Sequence, residues 1–150
     1  MLAVLCLAGA ALARTPQHER LMIWIGSQDQ TLLGRGVAGF TLAELPWEPL
    51  TFDADRAYLR AVVASAQART RWDRLSYTPR PDWLEADLDA FAALIEALTA
   101  SDVAWDEDRS PWLGWPAEVL RCPVHDVFEH AVGCLICNDA AQSEAPTQVT

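Results

Sequence analysis

Leu21-Met22-Ile23-Trp24-Ile25 is the stretch on which the fold class turns. Five apolar residues in a row, two β-branched and one aromatic, read as a buried strand, since a strand covered on both faces needs no polar alternation. Gly26-Ser27-Gln28-Asp29-Gln30-Thr31 then reads as a loop. Leu32 to Phe40 is rich in glycine and reads as a turn or β-hairpin beside that strand. A strand here, with helices farther on, makes the expected class α+β.

Upstream of this run, residues 1–13 (MLAVLCLAGAALA) imitate the apolar region of a signal peptide, and Ala11-Leu12-Ala13 imitates a cleavage site. The basic n-region is missing and the run is too short to span a bilayer. Residues 1–21 are therefore expected to be an apolar tail, with Met22 as a natural start. A weak signal sequence and export is the alternative.

Downstream, Gly34-Arg35-Gly36-Val37-Ala38-Gly39 spells G-x-G-x-x-G. A dinucleotide site needs that motif to open a helix and an acidic residue about 20 positions on. Pro46 interrupts the first condition and the second is unmet. What remains is a loop in which Asp29 and Arg35 could hold a small or anionic molecule, the basis of an enzyme reading centred on Gly26–Gly39.

Two helices are legible. Leu59, Val62, Val63 and Ala66 recur at helical spacing within about 53–69, with Thr51 or Asp53 as cap. Leu84, Leu88, Phe91, Ile95 and Leu98 form a second stripe, and Pro81 suits that helix's first turn. Asp82, Glu85, Asp89 and Glu96 make a solvated acidic face, some of it within reach of Arg56 or Arg60 if the helices pack antiparallel. Ser101-Asp102 can cap a short turn. Trp112 and Trp115 lie between prolines and either pack on the helices or form an exposed patch.

The chemistry concentrates near the C-terminus. Cys122-Pro-Val-His125 and Cys134-Leu-Ile-Cys137 are two ligand pairs, each spaced for one tight turn. Zinc takes four thiolate and imidazole ligands in a tetrahedron. Three cysteines leave one unpaired in any disulfide scheme, and a redox C-x-x-C wants a βαβ context that is missing here. His130 competes with His125, but its spacing is less regular, so an exposed hairpin histidine is expected there. Val127 and Phe128 suit short strands, and Gly133 suits the turn before Cys134. Residues 122–137 resemble the zinc knuckles of zinc-ribbon and treble-clef modules. Many of these carry glycine after the second ligand, where this chain has Asp126, a residue that tolerates a left-handed backbone. The resemblance implies a structural Zn2+ held by Cys122, His125, Cys134 and Cys137.

The expected architecture is thus a small, mostly helical α+β domain with one or two short strands, two main antiparallel helices and a C-terminal zinc-knuckle hairpin. The core spans 22–121, the zinc module 122–139, and 140–150 is a disordered tail. Net charge is −10, and all eleven basic residues are arginine. Residues 76–150 carry three arginines against fourteen acidic residues. Phosphate binding rests on cationic neutralisation, so this balance excludes nucleic acid and favours a partner protein, a basic one. Three metal-held thiolates suit a reducing compartment, hence a cytoplasmic protein. The arginine and alanine usage is bacterial in style. The expected role is a protein-interaction module, with no membrane involvement.

Overall fold

The computed structural model describes residues 1–143. Among them are five α-helices: α1 (Leu2–Leu12), α2 (Pro16–Gly26), α3 (Phe52–Gln67), α4 (Pro81–Ala97) and α5 (Leu135–Ser143). No strand or sheet occurs among the described residues. Extended pairing is limited to the isolated bridges Asp29–Val37, Arg121–Phe128 and His130–Gly133. The α+β expectation is corrected to a helical fold.

The correction starts at Leu21–Ile25, which forms the second half of α2. The helix begins ten residues upstream of its last turn's end, and its start signals are ordinary ones. Thr15 caps it by accepting the His18 N–H, Pro16 occupies the first turn, and Glu19 lies near the positive end of the helix dipole. Residues 21–26 are buried because other helices cover this segment, so it shows no polar face. A short apolar run covered all round fits a strand and a buried helix equally well.

Residues 1–21 are likewise no appendage in this fold. Leu2 to Ala10 are buried, and α1 packs against both α2 and α3. It is apolar on every side, the pattern of a helix enclosed by others. Gly9 makes the close approach possible: a Cβ there would lie 1.9 Å from Met22 Sδ and 3.1 Å from Tyr58 Oη. The Tyr58 hydroxyl donates to the Gly9 carbonyl at 2.8 Å, tying α3 to α1.

α3 and α4 follow the expected stripes. Leu59, Val62, Val63 and Ala66 are buried on α3, as are Leu84, Leu88, Phe91 and Ile95 on α4 and Leu98 just beyond it. Arg60 meets Glu96 at 2.6 Å, Gln67 meets Asp89 at 2.7 Å and Arg69 meets Glu85 at 3.5 Å. Ascending numbers on α3 meet descending numbers on α4, so the two helices run antiparallel. These pairs are exposed, each worth at most about 1 kcal/mol. Arg56 turns instead to the Leu98 carbonyl at 2.7 Å and anchors the end of α4. Ala100–Asp102 forms a single 3-10 turn, but Thr99 caps it and Ser101 and Asp102 lie within it.

The glycine-rich segment is a closed loop between α2 and α3. The bridge between Asp29 and Val37 joins its ends, and Gly34 and Gly36 take left-handed φ of 71°. No helix opens on the glycines, which removes the dinucleotide geometry. Trp115 is half-buried against the core, whereas Trp112 is 57% exposed.

Val127, Phe128, Leu135 and Ile136 are buried in the same hydrophobic core as α1 to α4. The first residues of the expected tail, 140–143, are the last turn of α5, and 144–150 lie outside the described residues. Among the described residues no helix is long and apolar enough to cross a membrane.

Candidate metal centre

Two local structures bring the four ligands together. The first is a knuckle at Cys122–Val127. The Asp126 N–H donates to the Cys122 carbonyl at 2.8 Å, and the Cys122 N–H donates to the Val127 carbonyl at 2.9 Å. Asp126 closes the turn with a left-handed φ of 54°, in the place where a glycine was absent. The second is the start of α5, after a turn in which Gly133 takes φ of 91°. Cys134 sits just ahead of that helix and Cys137 in its first turn. The His125 N–H donates to the Cys122 sulfur at 3.5 Å, and the backbone N–H groups of Ile136 and Cys137 favour the Cys134 thiolate. The expected hairpin is corrected: one ligand pair lies on a knuckle, the other on a helix N-terminus, where the dipole favours thiolate.

All four ligand atoms lie within 4.8 Å of one another. His125 Nδ1 is 3.7 Å from Cys122 Sγ, 3.5 Å from Cys134 Sγ and 3.3 Å from Cys137 Sγ. Cys122 Sγ and Cys137 Sγ are 3.7 Å apart. A tetrahedron with metal–sulfur bonds of ~2.3 Å and a metal–nitrogen bond of ~2.05 Å has edges of about 3.8 Å between sulfurs and about 3.5 Å from nitrogen to sulfur. The three nitrogen–sulfur edges and the Cys122–Cys137 sulfur edge lie close to these values, and the remaining sulfur separations are within 4.8 Å. A disulfide needs about 2.05 Å between sulfurs, so Cys122 and Cys137 are not bonded to each other. The donor set therefore fits a metal ion.

Electrostatics point the same way. Burial pushes Cys134 up to about 12 and raises Cys137, with the neighbouring Cys122 thiolate adding to both. For Cys122 burial also opposes ionisation, but the surrounding N–H and S–H donors outweigh it and the thiol falls below its ordinary value. One thiolate forms readily and then opposes the next, so three together call for a cation at their centre. Burial, then the Arg74 charge, lowers His125, keeping its imidazole neutral as ligation requires.

Asp126 does more than turn the chain. Its carboxylate lies 2.9 Å from both Arg71 and Arg121 and 3.9 Å from Arg74. Arg121 also donates to the Ala10 carbonyl at 2.9 Å, fastening the knuckle to the end of α1. This fastening was not legible in the sequence. Its only signal was an acidic residue directly after a ligand in an arginine-bearing chain.

His130 lies outside the ligand cluster. It is 4% exposed rather than the exposed histidine expected, and its Nε2 is buried without a hydrogen-bond partner among the described residues. Burial lowers its pKa, opposed by Asp29. Asp29 and Arg35 do not converge. Asp29 is buried and accepts from the Thr31 N–H and hydroxyl, whereas the Arg35 guanidinium lies over the Trp112 ring at 4.3 Å. Trp24 is enclosed against Phe40. Set against known proteins, the chain matches no family model, no curated protein and no solved structure.

Proposed function

We propose that the chain is a zinc-stabilised binding protein. Cys122, His125, Cys134 and Cys137 would hold one Zn2+ that closes α5 and the knuckle onto the helical core. The observation that supports this reading is the convergence of three sulfurs and one imidazole nitrogen within 4.8 Å, four of the six separations lying near tetrahedral edges. Soft thiolates with imidazole in a tetrahedron favour zinc among the common cellular metals. All four positions are filled by protein and three of the ligands are buried, so the ion would have a structural role rather than a catalytic one. Cobalt replacement tests the ligand set. Co2+ should give thiolate charge-transfer bands and tetrahedral d–d absorption, and Cys134→Ser should weaken both. An octahedral cobalt spectrum would sink the reading.

The partner in this proposal is another protein carrying basic residues, and the compartment is the reducing cytoplasm. Exposed Trp83 and Trp112 supply apolar contact area next to a surface of net negative charge. The arginines that might have tracked phosphates are engaged: Arg69 by Glu85, and Arg71, Arg74 and Arg121 by Asp126. Nucleic acid is accordingly not the partner proposed. A salt series distinguishes the two. Association with a captured basic protein should weaken as salt rises, and tight RNA or DNA binding at physiological salt would overturn the assignment.

A further inference from the structure

A cavity of about 920 Å³ opens between the glycine-rich loop, α4 and α5. That is the size of a small-molecule site. Phe40, Leu42, Phe91 and Leu98 form apolar walls. Asp29, Asp87, Asp139 and the ring of Tyr77 also line it. Asp29, Asp139 and Tyr77 thus share one cavity wall, brought there from three separate segments of the chain. Asp29 is only 8% exposed, and Thr31 holds its carboxylate in place.

This combination specifies a ligand chemistry. No arginine lines the cavity among the described residues; the one positive group there is the Met1 amino group, near Asp87 and Asp139. Four lining carboxylates, counting Asp102 at the rim, outnumber it. An anionic ligand such as a fatty acid would be repelled. A bare inorganic cation would make no use of the apolar walls. Aromatic faces beside carboxylates are the groups that recognise an organic ammonium ion. We propose that the cavity binds a small primary amine with an apolar body, its ammonium head on Asp29, Asp139 and the Tyr77 ring and its body against Phe40 and Phe91. Leu135 and Asp139 reach the cavity from α5, the helix whose first turn carries Cys137, so a loaded metal centre would hold one wall in position.

The test is calorimetric titration of the metal-loaded full chain with octylammonium, octanol and octanoate, with metal content measured on the same sample. Octylammonium should bind saturably at one site and at least about tenfold more tightly than the other two, a difference of about 1.4 kcal/mol. Asp29→Asn should weaken it by about tenfold. Because that change also touches the Thr31 contacts, Asp139→Asn is the second variant, each judged only if its thermal transition stays native. Three results would overturn the proposal: octanol or octanoate binding as tightly, octylammonium affinity unaltered in both folded variants, or no saturable binding of either octylammonium or 2-phenylethylammonium at millimolar concentration. Full metal content in such a sample would place the failure in the cavity and not in the metal centre.

Discussion

Leu5→Ala tests the placement of α1. Leu5 is fully buried in the middle of a helix that α2 and α3 enclose. The substitution removes three carbons. At ~0.8 kcal/mol per buried methylene the transfer loss is about 2–3 kcal/mol. The space left behind closes only in part, and comparable leucine sites lose about 3–5 kcal/mol in total. In a chain of this size each kcal/mol shifts the midpoint by ~2–4 °C, so Tm should fall by about 10 °C. Leu50→Ala is the control, since Leu50 is 99% exposed and should change stability by less than about 0.5 kcal/mol. The assay is thermal and urea unfolding of both variants with metal bound. A Leu5→Ala protein as stable as Leu50→Ala would show that residues 2–12 are not part of the core.

Four further outcomes follow from the same contacts. Tyr58→Phe removes one of the two donors on the Gly9 carbonyl, the Ala13 N–H remaining, and should cost about 1 kcal/mol in urea unfolding; an unchanged midpoint would mean that the bond is not formed. Gly9→Ala should destabilise although alanine is the better helix former by ~1 kcal/mol, because overpacking against Met22 and Tyr58 costs about 1–3 kcal/mol; a stabilised variant would refute the close approach. Arg121→Met should lower metal affinity by about tenfold in chelator competition, because Asp126 and the knuckle lose their tie to α1, and equal affinity would argue against that tie. His18 stacks on Tyr58, and burial lowers its pKa despite the nearby Asp55. Its neutral form is favoured in the fold, so its contribution to stability is complete above the ordinary histidine pKa and is lost as pH falls through the lowered one. A proton NMR titration placing His18 above the ordinary histidine value would contradict this.

What was legible in the sequence follows from where periodicity survives. α3 and α4 each bury one stripe and expose the rest, so Leu59 to Ala66 and Leu84 to Leu98 announce themselves. α1 and the second half of α2 are covered on all sides, and a helix covered all round loses its polar face and with it the period. Thr15-Pro16 and Glu19 still marked the start of α2, but the five apolar residues farther on read as a strand when taken alone. The four residues brought together at the candidate metal centre were legible because spacing on tight turns is local, and so was the left-handed backbone at Asp126. The helical setting of Cys134 and Cys137 was not, since the apolar side of α5 is only one turn long. The burial of His130 and the meeting of Asp29 and Asp139 at one cavity depend on segments far apart in the chain, which no local pattern reports.

The central claim is that four side chains hold one ion. Native mass spectrometry of the chain, purified anaerobically and with its thiols counted, addresses it most directly. The expected mass is that of the chain plus about one zinc, with the metal lost from Cys134→Ser and from Cys137→Ser but retained in His130→Gln. A chain that stays metal-free with accessible thiols even after incubation with zinc, or one in which His130→Gln releases the metal while His125→Gln keeps it, would contradict the account.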